Sequence, residues 1–355
     1  MDPEVATQAK YPELYNAIVT NKYDQTSSGD LNKVGNYFLT RVAPFKGYNA
    51  AGMIWYQGEH DKTHTEFQLY GMEALIESWS NIFRNDGTPI NIVSMQVAPY
   101  ATASSDATLT QHYALNKAMR TALDKVNTKY GKQIAIPVAT YDFSVKVDNI
   151  HPTNKKEVAL RTAKEALGMV YGKSTVYNGA AFESAVYDET IGTVTVKFTN
   201  VGTGLVKGEI GTRGFDDPAN SAILPASDSA KLNGFTVWSG LAFYDVQADI
   251  VGTDTVVLTL PADCKSVAGI YYGYGASILS ANLFNTADGY NFATLPFEHM
   301  FSSPVIPEHQ IRLWDGGDGV GAKTGDVYGS VADNTSRTQV TSTAAEGKGL
   351  IASDK

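Results

Sequence analysis

Between residues 50 and 170 the apolar positions alternate between two textures. Continuous apolar runs occupy Gly52-Met53-Ile54-Trp55-Tyr56, Ile90 to Val97 and Gln133 to Ala139. A run without polar alternation predicts a strand covered on both faces, as in a parallel sheet between helices. Pro137 in the third run is tolerable if that strand lies near an edge. After each run the period lengthens to that of a helix. Phe67, Tyr70, Leu75, Trp79, Ile82 and Phe83 recur on one helical face, and Asn85 to Pro89 ends it with Gly before Pro. Leu109 to Tyr130 forms a second helix, with Tyr113, Met119, Leu123 and Val126 facing the core and Gly131 ending it. A third runs from about Asn154 to Met169, with Asn154 and Glu157 in capping-box spacing. Strand, helix, strand, helix, strand, helix is the order of an α/β domain. Residues 1 to 48 contain no convincing strand. Ala6 to Val19 suits short helices interrupted at Pro12, and Thr26 to Asp30 reads as a loop.

At Gly172 the pattern changes. Residues 176 to 300 show short alternating runs separated by Gly, Asn and Asp. Val194, Val196 and Phe198 oppose Thr193, Thr195 and Lys197, and Val256, Leu258 and Leu260 repeat the pattern. This predicts half-buried antiparallel strands, most simply a β-sandwich. From Ser302 the chain is rich in Gly, Asp, Ser and Thr, which predicts a loosely ordered tail. The expected division is 1–173, 174–302 and 303–355, the last a low-complexity tail or a linker to a further module.

Composition narrows the function classes. The 355 residues carry a formal net charge of −9, which disfavours nucleic acid as a partner. A single cysteine, Cys264, excludes an intrachain disulfide and a cysteine-based metal site. His60 and His64 are four apart, but without the intervening Glu of the metalloprotease order. No segment has the ~18 consecutive apolar residues of a membrane span, and Met1-Asp2-Pro3-Glu4 does not begin a signal peptide.

Candidate chemistry lies where the predicted strands end, since ligands of open α/β sheets bind outside the carboxyl ends of the strands. Gln57, Gly58 and Glu59 follow the first strand. A side-chain amide there can donate to a developing oxyanion, or simply cap the turn. Glu59 can accept hydrogen bonds from its neighbours or serve as a solvated carboxylate at a helix start. Trp55 and Tyr56 suit core and pocket wall. After the third strand, Asp148 and His151 are spaced so that a carboxylate can hold an imidazole for general-base work. The plain alternative is a turn residue and a helix-start residue.

Taken together, Trp55-Tyr56-Gln57-Gly58-Glu59 and Asp148-Asn149-Ile150-His151-Pro152 resemble two motifs of the sialate O-acetylesterase family, carbohydrate esterases of the SGNH (GDSL-like) hydrolases. Flanking residues extend the match from Gly52 and through Thr153-Asn154-Lys155. Weaker similarity covers about 40 to 300, ending at Leu295-Pro296-Phe297, and His60 departs from the Ser often found after the Glu. The resemblance implies a flavodoxin-like α/β domain with a parallel sheet, followed by a β-sandwich. It implies a serine esterase without metal or organic cofactor, hydrolysing acetyl esters on sialic acids or other sugars such as acetylated xylan. It assigns His151 as general base, Asp148 as its orienter and Gln57 as an oxyanion donor, with Trp55, Gly58 and Glu59 supporting the pocket. It also implies an extracellular or periplasmic location and an O-acetylated sugar as partner, with no membrane.

The family's nucleophile lies in a Gly-Gln-Ser-Asn motif that this sequence lacks, and no Gly-x-Ser-x-Gly or Gly-Asp-Ser replaces it. Ser27, Ser28, Ser94, Ser104 and Ser105 do not follow a strand in the required way. The expectation is therefore a catalytic domain truncated at its N-terminal side, inactive alone. Its incomplete sheet would leave an edge and an apolar face through which copies associate. The alternatives are a catalytically silent, glycan-binding homologue and an interaction protein unrelated to the family.

Overall fold

The computed structural model describes residues 2–20, 35–101, 107–143, 150–151, 155–208, 231–264 and 266–301, together with four short strands beyond residue 310. It contains a parallel three-stranded sheet, helices on both of its faces, and several antiparallel sheets. The expectations at Thr26–Asp30, Asp148 and Asn154, and at Ser27, Ser28, Ser104 and Ser105, fall outside the described residues.

The parallel sheet has the order β1 (Gly52–Trp55), β2 (Asn91–Met95), β3 (Ala135–Val138). Trp55 lies opposite Ser94, and Ser94 opposite Pro137. Pro137 thus sits on an edge strand, where a missing N–H costs no ladder bond. Two helices, α2 (Glu66–Phe83) and α3 (Ala107–Tyr130), cover one face. Their Met72, Leu75, Ile76, Met119, Leu123 and Val126 pack with Met53, Ile92 and Ala135 in one buried cluster. On the other face α4 (Lys155–Met169) covers Val93, Met95, Ile136 and Val138 through Val158, Ala166 and Met169.

Two asparagines of α3 tie the helix to the sheet. Asn116 bonds both backbone groups of Val97, at 2.8 and 2.9 Å. Asn127 accepts from the N–H groups of Ile134 and Ala135 and donates to Ala135 O, at 2.8 to 2.9 Å. Each exchange satisfies backbone groups that the ladder leaves unpaired.

Two local expectations are corrected. Pro12 does not interrupt a helix; it opens α1 (Pro12–Thr20), whose Leu14 is buried beside Tyr11, Val5 and Ala74. Proline's fixed φ and missing N–H suit the first helical position. Nor is β1 covered on both faces: Met53 is buried but Ile54 is 62% exposed. Ile54 stands opposite Val93, so the cover that α4 gives Val93 does not reach one strand further.

After α4 the chain becomes antiparallel. One sheet runs in the order β4 (Ala181–Asp188), β5 (Thr193–Thr199), β10 (Thr255–Thr259), β9 (Gln247–Val251). Val194, Val196, Phe198, Val256 and Leu258 are buried, as alternation requires of one packed face. A second sheet has β12 (Leu283–Ala287) between β13 (Tyr290–Ala293) and β6 (Leu205–Lys207). A third has the order β14 (Phe297–Met300), β11 (Gly269–Tyr272), β7 (Phe235–Trp238), β8 (Phe243–Asp245).

The chain divides into two compact units. One comprises 1–235, 246–260 and 271–297, and the other 236–245, 261–270 and 298–355. The described residues beyond 310 form a four-stranded sheet, β15 (Ile311–Trp314), β18 (Gly349–Ala352), β16 (Asp326–Tyr328) and β17 (Gln339–Thr341) in spatial order, with Leu350 opposite Leu313 and Ile351 opposite Arg312.

Candidate active site

The carboxyl end of β1 runs into a tight turn that can be derived residue by residue. Gly58 takes a φ of +150°, and a Cβ there would meet Val97 at 3.0 Å and Gln68 and Leu115 at 3.3 Å. Glycine is thus required by both backbone and space. Its N–H donates to the Glu59 carboxylate at 3.1 Å, and its carbonyl accepts from the Asp61 N–H at 2.8 Å. Glu59, assigned a supporting role, therefore helps hold the turn.

Gln57 is exposed, and its Nε2 reaches an Asp61 carboxylate oxygen at 3.4 Å. Gln68, on the first turn of α2, donates to that same oxygen at 3.3 Å. Burial raises the Asp61 carboxyl above its ordinary pKa, opposed by the amides of Gln57 and Gln68 and by His60 and His64. The Gln57 amide is thus held loosely by a long hydrogen bond at the carboxyl end of β1. Trp55 packs on the α2–α3 face, with its indole N–H buried and without a hydrogen-bond partner. Trp55, Gln57, Asp61, Phe67 and Gln68 line a recess of about 170 Å³.

The second motif lies on the same side of the sheet. His151 is exposed, four residues before α4 begins at Lys155. Asp148 falls outside the described residues, so the structure does not place the carboxylate that would orient His151. Among the described residues the Lys155 ammonium stands 5.0 Å from the centroid of the Tyr56 ring and so joins the two motifs. The Tyr56 hydroxyl is pushed up to about 12 by burial and then by Glu59, so at neutral pH it is a neutral wall of the site. Ser94 is fully buried within β2, and its hydroxyl lies 3.2 Å from the Met119 sulfur, remote from the role of a strand-end nucleophile.

Pattern reading overlooked Asp61, Gln68 and Gln96. Asp61 and Gln68 gain meaning only when the turn after β1 folds against α2. Gln96 was counted within an apolar strand, although it follows the last ladder residue of β2 and is 2% exposed.

Fold and site together define an α/β protein with a polar cluster at the carboxyl edge of a parallel sheet, the usual place for ligand chemistry in this class. No protein-family model matches the chain. A search of curated proteins finds no match. Among solved structures, the chain is similar to a carbohydrate acetylesterase from Xanthomonas citri, with a TM-score of 0.53 and 22% identity, over 73% of this chain and 52% of that one. The likeness is one of fold, and the chain spans about half the length of that neighbour.

Proposed function

We propose that this chain carries part of the catalytic apparatus of a carbohydrate O-acetylesterase of the sialate O-acetylesterase type. The observation that carries the reading is the Tyr56–Lys155 contact, which brings together the two segments whose residues resemble that family's motifs. The shared fold with a carbohydrate acetylesterase supports it. In the proposed reaction a serine oxygen attacks the acetyl carbonyl and passes its proton to His151. The oxyanion accepts a hydrogen bond from the Gln57 amide. His151 returns the proton to the departing sugar hydroxyl, and water then releases acetate from the acetyl-serine. Asp148 would orient His151. Among the described residues no serine follows a strand of the parallel sheet, and the reading leaves the nucleophilic serine unassigned. The substrate is an O-acetylated sialic acid or an acetylated polysaccharide such as xylan, met outside the cytoplasm.

The test is acetate release from both substrates by the protein. We expect release that is abolished by an active-serine reagent and reduced by at least about 10³-fold in His151→Ala. Undiminished turnover in His151→Ala overturns the assignment of the base. Absence of release, with retained binding of acetylated sugar, establishes instead the silent glycan-binding reading, which the missing serine motif favours.

A further inference from the structure

The recess at the carboxyl end of β1 has a volume of about 170 Å³. A cavity of roughly 150 Å³ can admit benzene, so there is room here for one six-membered ring. Helix α2 shapes one wall. Phe67, Gly71 and Leu75 follow one another at one-turn spacing on that helix, and all three line the recess. Gly71 stands in mid-helix, where glycine is less favourable than alanine. Its φ is not positive, so the backbone there does not call for glycine. What the glycine supplies is the space that a side chain would take between Phe67 and Leu75.

The polar side of the recess consists of acceptors. Asp61 is the charged group among the lining residues, with no Lys, Arg or His beside it there. Gln57 and Gln68 donate to one of its oxygens, Oδ2, through long bonds of 3.4 and 3.3 Å. Among the described residues Asp61 Oδ1 accepts no hydrogen bond, and neither do the side-chain oxygens of Gln57 and Gln68. The Trp55 indole N–H also has no partner, but it is sealed from solvent and is assigned no contact. A metal ion does not suit the site: among the described residues no group of three His, Cys, Asp or Glu side chains could hold one.

We infer that this recess binds a single neutral pyranose, with hydroxyls donating to Asp61 Oδ1 and to the amide oxygens of Gln57 and Gln68 and the ring resting on Phe67 and Leu75, and that Asp61 excludes sugars bearing a carboxylate. The ligand must donate because an ionised carboxylate only accepts. It needs several hydroxyls because the open acceptors are several. It must not be an anion because Asp61 would repel it, and no lysine or arginine lines the recess to offset that repulsion. The choice of a sugar among polyols rests on the acetylesterase reading. Within that reading the recess favours a xylan unit over a sialic acid.

The experiment is a saturation-transfer NMR titration of the protein with methyl β-xyloside, with N-acetylneuraminate and with tetrahydropyran, the bare ring. It is run at pH 8, above the ordinary range of histidine, because His60 and His64 act on Asp61. The xyloside is expected to bind, and the other two at least about tenfold more weakly. Asp61→Ala should weaken the xyloside about tenfold or more, the loss of one hydrogen bond to a charged group, and should narrow its preference over neuraminate. Gly71→Met keeps every polar group, fills the gap and should abolish the xyloside signal. The inference is overturned by no xyloside signal at tens of millimolar, or by neuraminate binding as well as the xyloside. Unchanged xyloside affinity in a folded Asp61→Ala or Gly71→Met protein overturns it equally. The readout needs no turnover. Failure here leaves the acetate-release test of His151 untouched, and binding by a protein that releases no acetate sustains the recess assignment alone.

Discussion

β3 and β1 are the two edges of one parallel sheet, and the helices treat them oppositely. Ile136 and Val138 of β3 are fully buried beneath α4, whereas Ile54 of β1 is 62% exposed on that same face. On the far side the two strands are equal, since Met53 and Ala135 share the cluster beneath α2 and α3. The difference follows from where α4 is anchored. Arg161, in mid-helix, is 1% exposed and grips the segment after β3. It donates to Ala139 O at 2.8 Å and makes a two-pronged ion pair with Asp142 at 2.8 and 2.7 Å. The guanidinium also stacks over Phe143 at 4.1 Å. This clamp holds the helix over β3 and β2 and leaves β1 half covered. Burial of an apolar run therefore depends on the footprint of the helix above it, not on the run itself.

The sharpest way to break this asymmetry is Asp142→Ala. It would leave Arg161 buried without its counter-charge, and breaking one side of a buried pair costs ~3–5 kcal/mol. Urea unfolding should show that loss, together with earlier hydrogen exchange in α4 than in α3. A cost below ~1 kcal/mol would mean that the clamp does not hold the helix.

A matched pair of substitutions measures the asymmetry itself. Ile136→Ala opens a cavity under α4 and is expected to cost ~2–5 kcal/mol. Ile54→Lys, at a strand position two steps across the sheet, is expected to stay within ~0.5 kcal/mol as a surface change. The same variant tests the proposed association of copies through the open edge, because an inward or edge lysine blocks strand-to-strand pairing. Sedimentation of the wild type should then depend on concentration and that of Ile54→Lys should not. Equal stability losses in the two variants would erase the distinction between the edges.

Much of this fold was legible because local pattern and tertiary outcome agree. The faces of α2 and α3 read from Leu75, Ile82, Met119, Leu123 and Val126 are the buried ones. The alternation around Val194, Val196 and Phe198 marks a packed sheet face. Legibility failed where the answer depends on distant chain. Nothing in Gly52 to Trp55 says that α4 stops short of it. Nor does anything near Gln96 or Glu165 say that a polar side chain will be sealed in. At the end of β1, Gln57 was legible as a polar residue following the strand and Gly58 as the turn glycine. The role of Asp61 was not, because it depends on Gln68 arriving from a helix that pairs with the turn only after folding.

The pH-dependent test of the clamp concerns Glu165, one turn along α4 from Arg161. It is 1% exposed, one of its carboxyl oxygens has no hydrogen-bond partner, and burial pushes its pKa well above the ordinary value, only partly offset by Arg161. In the unfolded chain this carboxyl ionises near pH 4.3, while in the folded protein it keeps its proton to higher pH. Between those two values the folded state holds more protons, so stability falls as pH rises, by at most ~1.4 kcal/mol per pH unit. Below the unfolded value the contribution is complete and flat. Glu165→Gln has the same shape and never ionises. Its stability relative to the wild type should therefore increase from about pH 5 upward until the folded carboxyl has titrated, and should be level below about pH 4. The check is a set of urea unfolding curves for both proteins across that range. Curves that stay parallel would show that Glu165 titrates as it does in water, and that the α4 side of the clamp admits solvent as the β1 side does.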